Sequence, residues 1–414
     1  MKKVLIGLLS VVAVVMIVVV SKKGGNFREF FNEFANVEVY ESSTTLSLEF
    51  GNTFEYLEAN LKNNEEVNVE EFKKVKELLE GKTIYIEDRV NMKKAYNVSS
   101  KVYLQDKETK EKELITEFYI VDGKALMKVD EIIKLVNLYM PEVSANIPSD
   151  LKYISLDVNK ILAQVPEYQK IGYTSLEAML EESKKQRVVY TKIINIFAEG
   201  SFKDFKLDIV KINGNRCVVE TDLEGIIDAG VEIVKYVLNN SAAVKEDVIK
   251  VVDTLTEEDI KVLAMGTEVE FNKEEIKGQI DMAFAGLVMV KATALEELDK
   301  NVEELKVEME EFKDLFYIKF YVDKKGNKYV SGYEFDVDMN KYLELVEKDF
   351  DLMEGYVSSS NYEDLKVAFK LDQEVIKKNN VEITLPEVEA KDIEELVNEY
   401  NKAQNFQLET IELQ

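Results

Sequence analysis

TIYIEDRVNMKKAYNVSSKVYL, residues 83–104, alternates with a period of two. Ile84, Ile86, Val90, Met92, Tyr96, Val98, Val102 and Leu104 fall on even positions; Glu87, Arg89, Asn91, Lys93, Asn97 and Lys101 fall on odd ones. Successive side chains of an extended chain point to opposite faces, so this stretch predicts strands with one dry and one wet face. Antiparallel sheets have that character, whereas parallel sheets are usually dry on both faces. Leu46, Leu48 and Phe50 open an earlier strand with the same logic.

A second pattern recurs downstream. Residues 117–136 read as strand, Asp122-Gly123 turn, strand, Asp130 and an apolar-striped helix; residues 205–234 repeat the order with Asn213-Gly214 and Asp222. Residues 316–346 repeat it again with a turn at 325–327 and Asp338. Asp-Gly and Asn-Gly supply the positive φ of tight hairpins, and an aspartate at the end of a strand can accept the free N–H groups of the next helix. Two links resemble each other: 156–162 (LDVNKIL) and 337–343 (VDMNKYL). The expected fold is therefore α+β, with curved antiparallel sheets covered by helices and built from repeated hairpin–helix modules.

Long helices are expected at 54–79, 175–197 and 272–312. In the last, Leu295, Leu298, Val302, Leu305, Met309 and Phe312 make a seam of alternating three- and four-residue steps. Residues 282–290 of the same helix carry no charge and are far too few to span a bilayer. Burial against a sheet is the default expectation for them, with the lining of an apolar cradle as the alternative. Pro141, Pro148 and Pro166 cluster in the best boundary region. The division expected is 1–23 as anchor or signal, 24–165 as a first α+β domain, and 166–414 as a second one containing the long helix.

Residues 4–20 are an unbroken apolar run between Lys2-Lys3 and Ser21-Lys22-Lys23. As a helix the run would reach about 26 Å, enough for a thin bilayer. It reads as an uncleaved anchor, or as a signal cut after Ser21 that would leave the protein secreted. Either way the bulk of the chain is expected outside the cytoplasm, because large domains translocate largely regardless of flanking charge.

With 53 basic and 80 acidic residues the chain carries −27. Such a surface repels phosphate backbones, so nucleic acid is not an expected partner. Histidine is absent, which removes Ser-His-Asp and Cys-His catalysis and His-ligated zinc. Tryptophan is absent too. The single cysteine, Cys217, alternates with Val219 and Thr221 and is expected buried in a strand.

Other matches are weak. Asp336, Asp338, Asn340 and Glu347 occupy positions 1, 3, 5 and 12 of a calcium loop, but Lys341 stands where the turn glycine belongs; a strand followed by a helix cap is the better reading. Ser149 and Lys152 fit Ser-x-x-Lys without the partner motifs of acylating enzymes. Glu181-Glu182 and Glu257-Glu258-Asp259 are expected on solvated helix faces. No phosphate-binding glycine loop occurs. No catalytic residue, metal ligand or cofactor is assigned.

The order of elements resembles the LolA-like lipoprotein-carrier superfamily. The resemblance rests on the strands of 83–104, the hairpins at 122–123, 213–214 and 325–327, and the apolar helix 282–290. It implies a curved antiparallel sheet partly covered by helices, with acyl chains held between them. The expected function is a non-enzymatic, membrane-tethered extracytoplasmic binding protein holding an apolar or lipid-like ligand. The alternatives are a structural or signalling ectodomain with a solid core that recognises another envelope protein, and an enzyme built from carboxylates and tyrosines alone.

Overall fold

The computed structural model describes residues 37–61, 73, 76–77, 81–93, 95–139, 148, 150–170, 172–263, 272–312, 315–349 and 358–398. The N-terminal run 4–20 and Ser149 lie outside the described residues, as does most of the stretch after residue 61 expected to continue the first helix. The architecture is mixed α+β. Among the described residues the strands are β1 Val39–Gly51, β2 Lys82–Asn91, β3 Asn97–Asp106, β4 Lys112–Val121, β5 Lys124–Lys128, β6 Tyr153–Asp157, β7 Val210–Asn213, β8 Arg216–Asp222, β9 Phe316–Lys325, β10 Lys328–Asp338, β11 Leu365–Lys377 and β12 Lys391–Asp392. They form one open sheet in the order β12-β6-β5-β4-β3-β2-β1-β11-β10-β9-β8-β7. The sheet is mostly antiparallel, with β12 parallel to β6.

The helices are α1 Thr53–Leu61, α2 Asp130–Tyr139, α3 Val158–Gln164, α4 Pro166–Lys170, α5 Leu176–Glu199, α6 Leu223–Asn239, α7 Ser241–Thr254, α8 Glu257–Leu263, α9 Lys273–Met309 and α10 Met339–Asp349. Contacts divide the chain into two compact units. One comprises Met1–Asn36, Ser47–Val67 and Glu182–Asp372; the other comprises Val37–Leu46, Asn68–Glu181 and Gln373–Gln414.

In the second unit, β2 and β3 pair with Val90 opposite Val98, Ile86 opposite Val102 and Ile84 opposite Leu104. The even positions thus share one face, as the alternation requires. Asp122 and Gly123 turn β4 into β5 at φ 50° and 80°, the two positive values of a type I′ hairpin. A Cβ on Gly123 would also collide with the Asn159 side chain at 2.0 Å. On the even side, α2 sends Ile133 into a cluster with Val129 and Leu151, packed by Met127, Ile154 and Leu396.

The two look-alike links behave alike, one in each unit. Asp157 caps α3 by accepting from Lys160 N at 2.9 Å, and Asp338 accepts from Lys341 N at 3.1 Å. Two residues on, Asn159 Oδ1 accepts from Leu176 N and Asn340 Oδ1 from Leu365 N, both at 2.9 Å. Asp222 caps α6 through Gly225 N at 2.8 Å.

In the first unit, Cys217 is fully buried in β8 between Ile212 and Val322. Val189 of α5 packs with Leu255 and Val262. Asp259 departs from expectation. It is 7% exposed because it closes a capping box: Thr256 N donates to its carboxylate and Asp259 N donates to Thr256 Oγ1, while Lys192 Nζ reaches it at 2.9 Å.

Helix α9 corrects a second expectation. Its inner side, including Phe284, Leu287, Leu298, Val302 and Leu305, is half-buried, and the helix packs on α6 and α7. Ion pairs Lys277–Asp253, Lys245–Asp281, Lys235–Asp299 and Lys306–Asp228 fasten it along its length. Residues 282–290 are not buried against a sheet: Met282 is 70% and Met289 84% exposed. Nine uncharged residues cover every side of a helix, and only those in phase with the seam find partners. By length and composition, Lys273–Val307 is also the one described helix capable of crossing a membrane. Spanning would require tearing it from those four ion pairs.

Candidate binding cleft

The odd positions of β2 and β3, expected to face water, form the floor of a cleft of about 670 Å³. The cleft lies within the second unit. Tyr85, Glu87 and Arg89 come from β2, Ser99 and Lys101 from β3, Tyr119 from β4, and Glu41 from β1. Register explains the grouping: Glu41 stands opposite Arg89, Arg89 opposite Ser99, and Ser99 opposite Tyr119.

A strap of residues 378–390 crosses this side of the sheet after β11. Lys378 N donates to Val39 O at 3.0 Å, and Asn91 Nδ2 donates to Val381 O at 2.9 Å. Lys93 Nζ holds Asn379 O at 2.7 Å. Val381 and Ile383 bury against Val39, with Val121 beside them. The strap then enters the sheet as β12. Glu382, Ile383, Thr384 and Pro386 of the strap complete the cleft wall.

The lining is polar and mostly acidic. Glu41, Glu87, Glu374 and Glu382 face it, against Arg89 and Lys101. Glu41 is shared by Lys378 at 2.8 Å and Arg89 at 3.6 Å. At one edge Lys112 Nζ stands 3.6 Å above the Tyr85 ring and 2.9 Å from Glu87. That is an ammonium seated on an aromatic face beside a carboxylate, the arrangement that favours organic cations.

Beside the floor, on the same face of the sheet, Glu117 is a hydrogen-bonding node. It accepts from Tyr119 OH at 3.0 Å and from Tyr153 OH at 2.9 Å, with Lys101 Nζ at 3.7 Å. Burial first, and then the hydrogen bond to Glu117, push both phenols up to about 12. They are therefore donors at neutral pH and unsuited to abstract protons.

The weak motifs resolve structurally. Asp336 and Asp338 end β10, Asp338 caps α10, and Asn340 holds Leu365 N, so the calcium template is a strand and a cap. Asp336, Asp338 and Asp364 line a second pocket of about 380 Å³. No group of three or more potential metal ligands occurs among the described residues. Lys152 O accepts Val129 N. No cleft residue was singled out from sequence, although the acids and tyrosines gathered on odd strand positions carried the signal.

The fold and cleft define a class: an open, mostly antiparallel α+β sheet with a strap-roofed polar cleft. No family model, curated protein or solved structure matches the chain.

Proposed function

We propose that this is a non-enzymatic binding protein, held at a membrane by residues 4–20 with its α+β bulk outside the cytoplasm. Its ligand seat is the strap-roofed cleft, and the ligand is a polar solute bearing positive charge. The observation that carries this reading is the excess of carboxylates in the cleft, where Glu41, Glu87, Glu374 and Glu382 stand against Arg89 and Lys101; the Lys112 ammonium on Tyr85 and Glu87 shows how its edge holds an ammonium. A polar lining suits hydrogen-bonded, charged cargo better than an acyl chain. An apolar ligand, expected from the alternating strands and residues 282–290, is the second reading: in that stretch Met282 and Met289 are exposed, while Phe284 and Leu287 turn toward α6 and α7. On this reading the resemblance to LolA-like carriers extends to the sheet-and-cover plan, with a different load. The hairpins at 213–214 and 325–327, each followed by an aspartate-capped helix, and the matched Asp157/Asn159 and Asp338/Asn340 links favour duplicated modules; Asp130, after the hairpin at 122–123, is instead the first residue of α2. The protonated tyrosines argue for binding rather than catalysis.

The chain has no tryptophan, so Tyr85→Trp in the full-length protein gives a single indole reporter in the cleft. Spermidine and arginine amide should shift its fluorescence saturably; glucose and succinate should not. Glu87→Gln should weaken the response. No response to either cation overturns the assignment of the ligand class. Copurified lipid in solvent extracts would restore the apolar reading. Recovery of the uncleaved chain from cytosol, free of membranes, would overturn the tether.

A further inference from the structure

The outer side of α9 carries its own order, on the face turned away from α6 and α7. Met282 and Met289 are the largest exposed side chains there, at 70% and 84%. Ala285 and Ala292 are exposed between and beyond them, and a Cβ added at Gly278 would meet nothing within 4 Å. Glu274 and Lys300 bound the line, with side chains 86% and 74% exposed. Steps of three and four residues place all of them on one face.

We propose that two copies of this chain pair through this face of α9, antiparallel, about a two-fold axis at the level of residue 287. That axis sets Ala285 opposite Met289, Met282 opposite Ala292, and Gly278 opposite the Glu296 stem. Each large side chain meets a small one, which lets the helices approach closely and interdigitate. It also sets Glu274 opposite Lys300, and symmetry repeats the attraction at the other end. At present Glu274 pairs with Lys277 at 3.4 Å and Lys300 with Glu304 at 3.6 Å. These solvated pairs within one helix are weak and exchange readily. The paired line from 274 to 300 is about 39 Å long.

Charge selects this occupant over others. Parallel pairing would put Glu274 on Glu274 and Lys300 on Lys300, like charges at both ends. A bilayer would meet Glu274, Glu275, Glu296 and Glu297, where surface-lying helices carry lysine and arginine.

Cysteine cross-linking of the full-length chain tests the register, in a Cys217→Ala background so that no other thiol competes. A chain carrying Ala285→Cys and Met289→Cys should oxidise to a covalent dimer, as should a mixture of the two single variants. Either single variant alone should not, since like positions lie farther apart than a disulfide reaches. Met282→Glu should abolish the cross-link while leaving the far-ultraviolet spectrum unchanged. Glu274→Lys and Lys300→Glu should each slow cross-linking severalfold, and the double swap should restore it. Cross-linking by the single variants, or none at any protein concentration, overturns the proposal.

Discussion

Replacing Glu117 tests whether the cleft floor is a held structure or a solvated surface. Its side chain is 12% exposed and takes two phenol donors at 2.9 and 3.0 Å. Hydrogen bonds to a charged group contribute about 1.5–3 kcal/mol each, and less when they share one acceptor. Lys101, with its side chain 42% exposed and 3.7 Å away, adds under about 1 kcal/mol. Glu117→Leu leaves both hydroxyls without their acceptor and should cost about 3–4 kcal/mol. Glu117→Gln keeps neutral partners for them and should cost about 1–2 kcal/mol. Urea unfolding of the full chain, followed by near-ultraviolet tyrosine circular dichroism, measures both. A cycle with Tyr153→Phe should show coupling of about 1 kcal/mol or more. A Leu variant within about 0.5 kcal/mol of the parent, or strict additivity with Tyr153→Phe, would refute the node.

Tyr119, Tyr153, Tyr317 and Tyr321 are all raised to about 12, burial leading and a carboxylate partner following. Their contribution is whole below pH 10 and disappears as pH climbs from 10 through 12, so melting temperature should fall steeply across that window and little between 7 and 9. Asp259 titrates the other way: backbone donation from Thr256, with help from Lys192, lowers its carboxyl. Its contribution is whole above the ordinary aspartate range and is lost as pH falls below that range through the lowered folded value; Asp259→Ala should cost about 2 kcal/mol by urea unfolding at pH 7 and less at pH 2. On α9, Phe284→Asp should cost several kcal/mol by the same measurement, whereas Met289→Asp should cost under about 0.5 at protein concentrations too low for α9 to pair, a contrast that a helix exposed on both sides would not show.

Local signals were legible because local physics decides them. Alternation over 83–104 paired even with even, and Asp122-Gly123 made the hairpin its dipeptide demands. Asn272 capped the long helix within a residue of its expected start. Aspartates after strands capped helices at 157, 222 and 338. The misjudged features are those in which distant residues supply the partner. Odd positions of β2 and β3 read as wet, and by composition they are. They became a cleft because a strap nearly 300 residues later crosses them, held by side chains such as Asn91 and Lys93 that also read as surface.

Asp259 and residues 282–290 show the same rule with opposite outcomes. An acid in an acidic run became buried, because Thr256 offers a box and Lys192, 67 residues away, offers a countercharge. An apolar run became exposed, because the helix already spends its other side on α6 and α7. Composition states what a segment tolerates, and partners determine where it ends up. An apolar line left bare between a carboxylate and an ammonium, with a small residue set against each large one, is therefore better read as an interface awaiting its mate than as a failed core. A soluble surface has no use for that spacing, whereas a two-fold axis makes each half of the line the complement of the other.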